Sequence, residues 1–311
     1  MDRARIASVA FFLMLAVNFL AAQAVRHNDG DLVPDGMHGA SSQETMAPAK
    51  VTGPAVVQGN GINYHGGPVL ESTSVPIYII WYGNWTNGPK PSDSQTTVNL
   101  IDALLGGLGG SPYELINSTY GDNNANVSGN LHLQSQIFDT GSQGTSLTNS
   151  RLQTIVSSHL TNGNLPTDAT GVYLVLTSSN VKEKGFCTQF CGFHTKATLN
   201  GADIKWAFIG NVDQCPAGCE GQSPTTPNGD SGADGMANVI GHETEEAISD
   251  PDLNAWFDTN GEENADKCNF NFGATQTAGN GSQFNQTIGG HNWLIQQNWE
   301  NKNGGGCVQH L

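Results

Sequence analysis

Residues 75–108 read "VPIYIIWYGNWTNGPKPSDSQTTVNLIDALLGGL", and the order of their two patterns decides the fold class. Ile77 to Tyr82 is an unbroken β-branched and aromatic run between Pro76 and Gly83, the signature of a buried strand. Beyond a Gly- and Pro-containing loop, Val98, Ile101, Leu104, Leu105 and Leu108 recur at helical spacing behind polar starters, and Gly106 with Gly107 marks the end. A buried strand followed by an amphipathic helix is the unit of layered α/β architecture.

The same unit recurs outward along the chain. "NLHLQSQIFD" (130–139) alternates as a strand, and "LTNSRLQTIVSSHL" (147–160) spaces Leu147, Leu152, Ile155, Val156 and Leu160 as a helix. "GVYLVLTS" (171–178) and "IKWAFIGN" (204–211) read as further strands. A helix is expected from about Ala237 to Ser249, stopped by Pro251, which has no N–H to continue it. The order predicts an α/β (α+β) fold with a twisted mixed sheet, packed helices and a disulfide-tied, loop-rich C-terminal part. In that tail "HNWLIQQNW" (291–299) is the strand candidate.

The first 24 residues combine Arg3 and Arg5, an apolar run from Ile6 to Ala22, and small residues at 22 and 24, so 1–24 reads as a signal peptide; an uncleaved membrane anchor is the alternative. Residues 25–60 lack apolar periodicity and read as a linker or pro-segment, leaving 61–311 as a single domain. All six cysteines lie in the second half, and export favours three disulfides over a structural zinc site; Cys268 with Cys307 is a candidate clamp on the last segment. A formal charge of -16 with 12 Lys plus Arg speaks against nucleic acid and anionic lipid as partners. The expected product is a secreted monomer, extracellular or in the cell wall.

The chemistry concentrates in "NVIGHETEEAISDP" (238–251). His242 and Glu246, four residues apart on a helix, face one ion, and Glu243 occupies the general-base position of the H-E-x-x-H metallopeptidase motif. Here Glu246 replaces the second histidine; zinc is the expected metal, with other divalent ions compatible with the harder ligand. A further ligand is sought among Asp252, Asp258, Glu262, Glu263 and Asp266, with Glu263 and Asp266 preferred. Asp252 fits the extended motif's spacing, but Ser249 stands where that motif has its turn-forming glycine. His65 and His194 read as structural or surface residues, and "PNGDSGADGM" (227–236) as a turn shaping the helix entrance, not a calcium loop. No Ser nucleophile elbow or phosphate-binding glycine loop is present.

"YHGGPVL", "VPIYIIWYGNW", "FCTQFCGFH", "WAFIGNVDQCPAGC" and "PNGDSGADGMANVI" together resemble the phosphate-induced, EXORDIUM-like family of secreted proteins, from about Asn63 to Cys307. The resemblance implies an extracellular or cell-wall protein related to growth or phosphate responses, with no settled biochemical activity. The His-Glu pair after "DGM" departs from plant members and resembles microbial, metallopeptidase-like ones, which brings Asp250, Glu263 and Asp266 into the candidate set. Two functions follow as expectations. One is a zinc-dependent peptidase with a zincin-like active-site helix, Glu243 as general base, His242, Glu246, Glu263 and Asp266 around the metal, and a peptide or protein substrate paired along "IKWAFIGN". The other is a non-catalytic extracellular protein that binds cell-wall polysaccharide or a receptor.

Overall fold

The computed structural model describes residues 61–302 and 304–311; the expected signal peptide and the 25–60 segment lie outside the described residues. The central sheet has five strands: β1 (Val75–Tyr82), β2 (Leu131–Asp139), β3 (Val172–Thr177), β4 (Gly192–Leu199) and β5 (Ala202–Gly210). Their order is β2-β1-β3-β5-β4, and every pair is parallel except β5 with β4. Parallel neighbours need crossovers. Helix α1 (Gln95–Leu108) supplies the first and α2 (Asn149–Thr161) the second. The antiparallel edge closes as a hairpin through Asn200 and Gly201, both at positive φ (49° and 81°), which is what a two-residue turn between twisted strands requires.

Strand alternation sorts the core into two layers. Ile77, Ile79, Trp81, Leu174 and Ile209 meet α1 and a third helix, α3 (Ser231–Ser249), whereas Tyr78, Ile80, Tyr82, Val175 and Phe208 meet α2. Ser94 and Thr148 cap α1 and α2 by accepting the amides of Thr97 and Arg151. No described helix is long and apolar enough to cross a membrane. Disulfides join Cys187 to Cys215, Cys191 to Cys219 and Cys268 to Cys307, so the clamp on the last segment is present.

Several boundaries differ from the sequence reading. Helix α3 starts at Ser231, so "SGADGM" forms its first turns and is not an entrance turn. The glycines there serve packing: a Cβ on Gly232 would lie 2.4 Å from Ser92 Cβ, and one on Gly235 2.4 Å from Val212 Cγ2. Asp230 caps this start by accepting the Ala233 amide. The strand containing "IKWAFIG" is not the edge: β5 is paired on both sides, and the edge is β4, built from "GFHTKATL". It has no free side on which to pair a peptide. "HNWLIQQNW" divides into His291–Trp293 and Asn298–Glu300, which belong to separate two-stranded ribbons.

Gly235→Ala puts helix propensity against packing. Alanine gains up to about 1 kcal/mol in an exposed helix, but here overpacking costs about 1–3 kcal/mol. Urea unfolding is therefore expected to give a lower midpoint for the variant; a higher one would contradict the close approach of α3 to Val212.

Candidate metal centre

Helix α3 is buried along its whole length from Gly232 to Ser249, including His242, Glu243, Glu245 and Glu246. It runs beneath the antiparallel end of the sheet and is covered on its far side by the segment 254–272 and the C-terminal ribbons. Its C-terminus is fixed by Asp250, whose Oδ1 accepts the amides of Asn254 and Ala255 at 2.7 Å each. The chain then turns back, and Asn264 donates to Ser249 Oγ at 3.1 Å, while the Asp266 amide donates to Glu246 Oε1 at 3.0 Å. Asp266 Oδ2 accepts the Glu263 amide at 3.1 Å, so both acidic residues are placed by this docking.

Around Glu246 the donors converge. His242 Nε2 lies 3.2 Å from Glu246 Oε1 and 3.4 Å from Asp266 Oδ1. On the other side His194 Nε2, from β4, lies 2.9 Å from Glu263 Oε2 and 3.8 Å from Glu246 Oε2. These are two interlocked triads, His242–Glu246–Asp266 and His194–Glu246–Glu263, each with its donor atoms within 4.8 Å of one another. A tetrahedral zinc with bonds of about 2.0–2.1 Å separates its ligands by about 3.3–3.4 Å. The two His242 contacts match that edge.

Sequence reading had selected His242, Glu246, Glu263 and Asp266, and the fold brings all four together. It missed His194. The signal was available in "CGFHTKATL": with Gly192 and His194 on one face of a strand and Phe193 and Thr195 on the other, the histidine falls on the face turned to α3. Glu243 stands beside β4 outside both triads, where a Cβ on Gly192 would lie 2.8 Å from its Oε1. The remaining candidates are spoken for elsewhere. Asp252 meets Lys205 and Lys196, Lys267 meets Asp258 at 3.0 Å and Glu262 at 3.8 Å, and Asp250 caps the helix. His65 stacks on Phe257 and hydrogen-bonds its carbonyl, a structural role as read.

Burial dominates the electrostatics. It opposes the charged form of His242, but Glu246 and Asp266 outweigh it and hold the ring's pKa well above the usual histidine range. Burial, with the charge of Asp266 adding to it, pushes Glu246 up to about 7. Glu243 and Glu263 are raised well above the carboxylate range, again by burial first and by neighbouring carboxylates second. Both Glu243 oxygens and the Glu246 Oε2, Glu263 Oε1 and Asp266 Oδ1 atoms are buried without a hydrogen-bond partner. Folded proteins seldom leave such atoms unsatisfied, and a bound ion is one of the standard reasons.

Comparison with known proteins agrees with the motif resemblance. The profile described as "Phosphate-induced protein 1 conserved region" matches residues 62–303. Protein EXORDIUM-like 5 of Arabidopsis thaliana is 33% identical over 271 residues, covering 76% of this chain and 75% of that protein. Protein EXORDIUM-like 3 of the same plant is 32% identical over 259 residues, covering 74% of each. Protein PHOSPHATE-INDUCED 1 of Nicotiana tabacum is 28% identical over 200 residues, covering 56% of this chain and 60% of the relative. No solved structure gives a significant match.

The raised groups fix the sign of the pH dependence for protein kept free of metal by a chelator. Glu246 titrates near 7 when folded and near 4.5 when unfolded, so the folded state binds more protons in between and stability falls as pH rises through that window. His242 acts in the same direction, since its contribution is lost as pH rises through a raised folded value. The Tm of the metal-free protein is expected to drop by about 5 °C or more between pH 5 and pH 8. A flat or rising profile in differential scanning calorimetry would contradict the buried cluster.

Proposed function

The chain belongs to the phosphate-induced protein 1 family, and from that premise we propose that it is an exported, non-catalytic extracellular protein built around a structural divalent cation, zinc first among them. The observation that carries this reading is the convergence of His194 and His242 on the two oxygens of Glu246, with Glu263 and Asp266 completing a triad on either side. Structural zinc sites are closed by protein donors, whereas catalytic ones keep a position for water. Four residues around one buried carboxylate, none more than 9% exposed at the side chain, favour the closed kind. Charge points the same way: a divalent cation held by neutral imidazoles offsets two of the four carboxylates Glu243, Glu246, Glu263 and Asp266, halving the protons their burial would otherwise require.

Export is supported by the three disulfides, which persist in oxidising compartments. In the extracellular space or cell wall, this reading makes a wall polysaccharide or a receptor the partner, with the metal holding α3, β4 and the 254–272 segment in register. Removing a structural metal removes folding free energy directly.

One observation favours a second reading, peptide hydrolysis. The Glu243 carboxylate is buried without a partner beside Gly192 on the edge strand, next to the ligand His242, which is where a general base for a metal-bound water would stand. The two readings separate in one set of experiments. Metal analysis of the purified mature protein is expected to give about one zinc per chain. His242→Ala and Asp266→Ala should lose it together with roughly 5 °C or more of Tm, while Glu243→Gln keeps both. A wild-type protein without metal ends the proposal of a metal centre. Peptide cleavage by the wild type that disappears in Glu243→Gln would replace the non-catalytic reading with the peptidase one.

A further inference from the structure

A second, chemically different site lies away from the metal centre. A cavity of about 880 Å³ is lined by two chain segments, residues 216–218 with 221–223 and residues 269–272. Ligand sites typically span about 300–1,000 Å³, so the space suits a molecule larger than a single sugar ring or amino acid. None of its lining residues is charged, in a chain whose formal charge is -16. A cation or an ionised ligand finds no counter-charge there.

What the lining offers is aromatic faces and amides. Phe270 and Phe272 stand edge to face, ring centroids 6.1 Å apart at 80°. Asn269 Oδ1 is buried without a hydrogen-bond partner. The Gln222 amide is clamped by the Gln283 backbone, donating to its carbonyl at 2.6 Å and accepting its amide at 2.9 Å, so its orientation is set before any ligand arrives. Asn271 is exposed, and its Oδ1 accepts the Gly273 amide at 3.2 Å, which leaves the amide nitrogen turned to other work. The Phe272 ring lies on Gly221, where a Cβ would come within 2.8 Å of its Cζ.

The two lining segments are also rigidly tied. Pro216 follows Cys215, Cys219 lies between Gly218 and Gly221, and Asn269 follows Cys268, so each of the three disulfides ends next to the cavity. A site held in this way loses little freedom when it binds.

We propose that this cavity binds a neutral, polyhydroxylated ligand, a short stretch of uncharged polysaccharide. A pyranose ring presents a C–H face and a rim of hydroxyls. The phenylalanine faces take the first, and the amides of Asn269, Asn271 and Gln222 take the second. The proposal gives the non-catalytic reading its ligand class and rests on that reading for its role, but its chemistry is independent of the metal.

Isothermal titration with three neutral hexasaccharides (cellohexaose, xylohexaose and mannohexaose), with hexagalacturonate as the anionic control and an uncharged Pro-rich peptide as the competing ligand class, tests it. At least one neutral hexasaccharide is expected to bind, with hexagalacturonate and the peptide inert. Phe272→Ala should weaken binding at least about tenfold, the loss of one stacked aromatic face. Asn271→Ala, at an exposed position whose side chain accepts a single hydrogen bond, should weaken it several-fold, so the test survives if Phe272→Ala fails to fold. Zinc content, measured on the same samples, should stay unchanged in both variants. Failure of all three neutral hexasaccharides to bind, equal binding in both variants, or binding of hexagalacturonate or the peptide instead would overturn the proposal. Absent zinc with intact saccharide binding would overturn only the metal centre.

Discussion

Helix α3 carries His242, Glu243, Glu245 and Glu246 into a region without solvent exposure, and much of the surrounding chain is arranged to meet the cost of that burial. An isolated carboxylate in such a place is penalised by several kcal/mol even after relaxation. The helix meets this differently on its two sides. Towards β4 and the 254–272 segment, Glu246 faces two imidazoles and the amide of Asp266. On the other side, Glu245 faces Glu114, whose pKa burial pushes up to about 8. The second arrangement is met by keeping protons, whereas the first gathers nitrogen and oxygen donors at ligand–ligand distances. The same helix therefore separates a proton-neutralised pair from a cation-shaped cluster.

How much of this the sequence disclosed depends on whether the information was local. The strands of β1 and β3 and the helices α1 and α2 were legible because continuous apolar runs and helical spacing are local patterns, fully expressed in the residues themselves. The start of α3 was not, because Gly232 and Gly235 look like turn residues until Ser92 and Val212 are placed against them. The edge of the sheet was misassigned for a related reason. Sequence reading takes "IKWAFIG" as a strand and gives no element to "GFHTKATL", and only the hairpin through Asn200 and Gly201 puts the second outside the first.

The candidate site followed the same division. His242 and Glu246 were found because helical periodicity places them on one face. Glu263 and Asp266 lie in the buried cluster, whereas the lysines at 196, 205 and 267 engage Asp252, Asp258 and Glu262. No local rule singles out those lysines as partners. His194 was hidden for the opposite reason: it lies 48 positions before His242, and its neighbourhood to Glu246 exists only through the packing of β4 on α3.

The disulfides connect the two sites that chemistry keeps apart. Cys191 lies three residues before His194, and its partner Cys219 sits between Gly218 and Gly221, which line the neutral cavity. Cys268 lies between Asp266, a donor of the buried cluster, and Asn269, the first residue of the cavity's second segment. The first cross-link thus holds a cluster donor with one side and the cavity wall with the other, whereas at Cys268 the backbone itself joins the two and the bond to Cys307 anchors it. A cation locked between β4, α3 and the 254–272 segment would stiffen the segments that shape the cavity, although none of its donors lines it. Electrostatics argues for the same separation: a neutral ligand needs a place free of the field that five ionisable side chains create, yet fixed by the same covalent frame. On the proposed reading the metal would contribute to binding mechanically, through Cys191–Cys219 and the backbone around Cys268, and the cavity's own uncharged side chains would set its specificity.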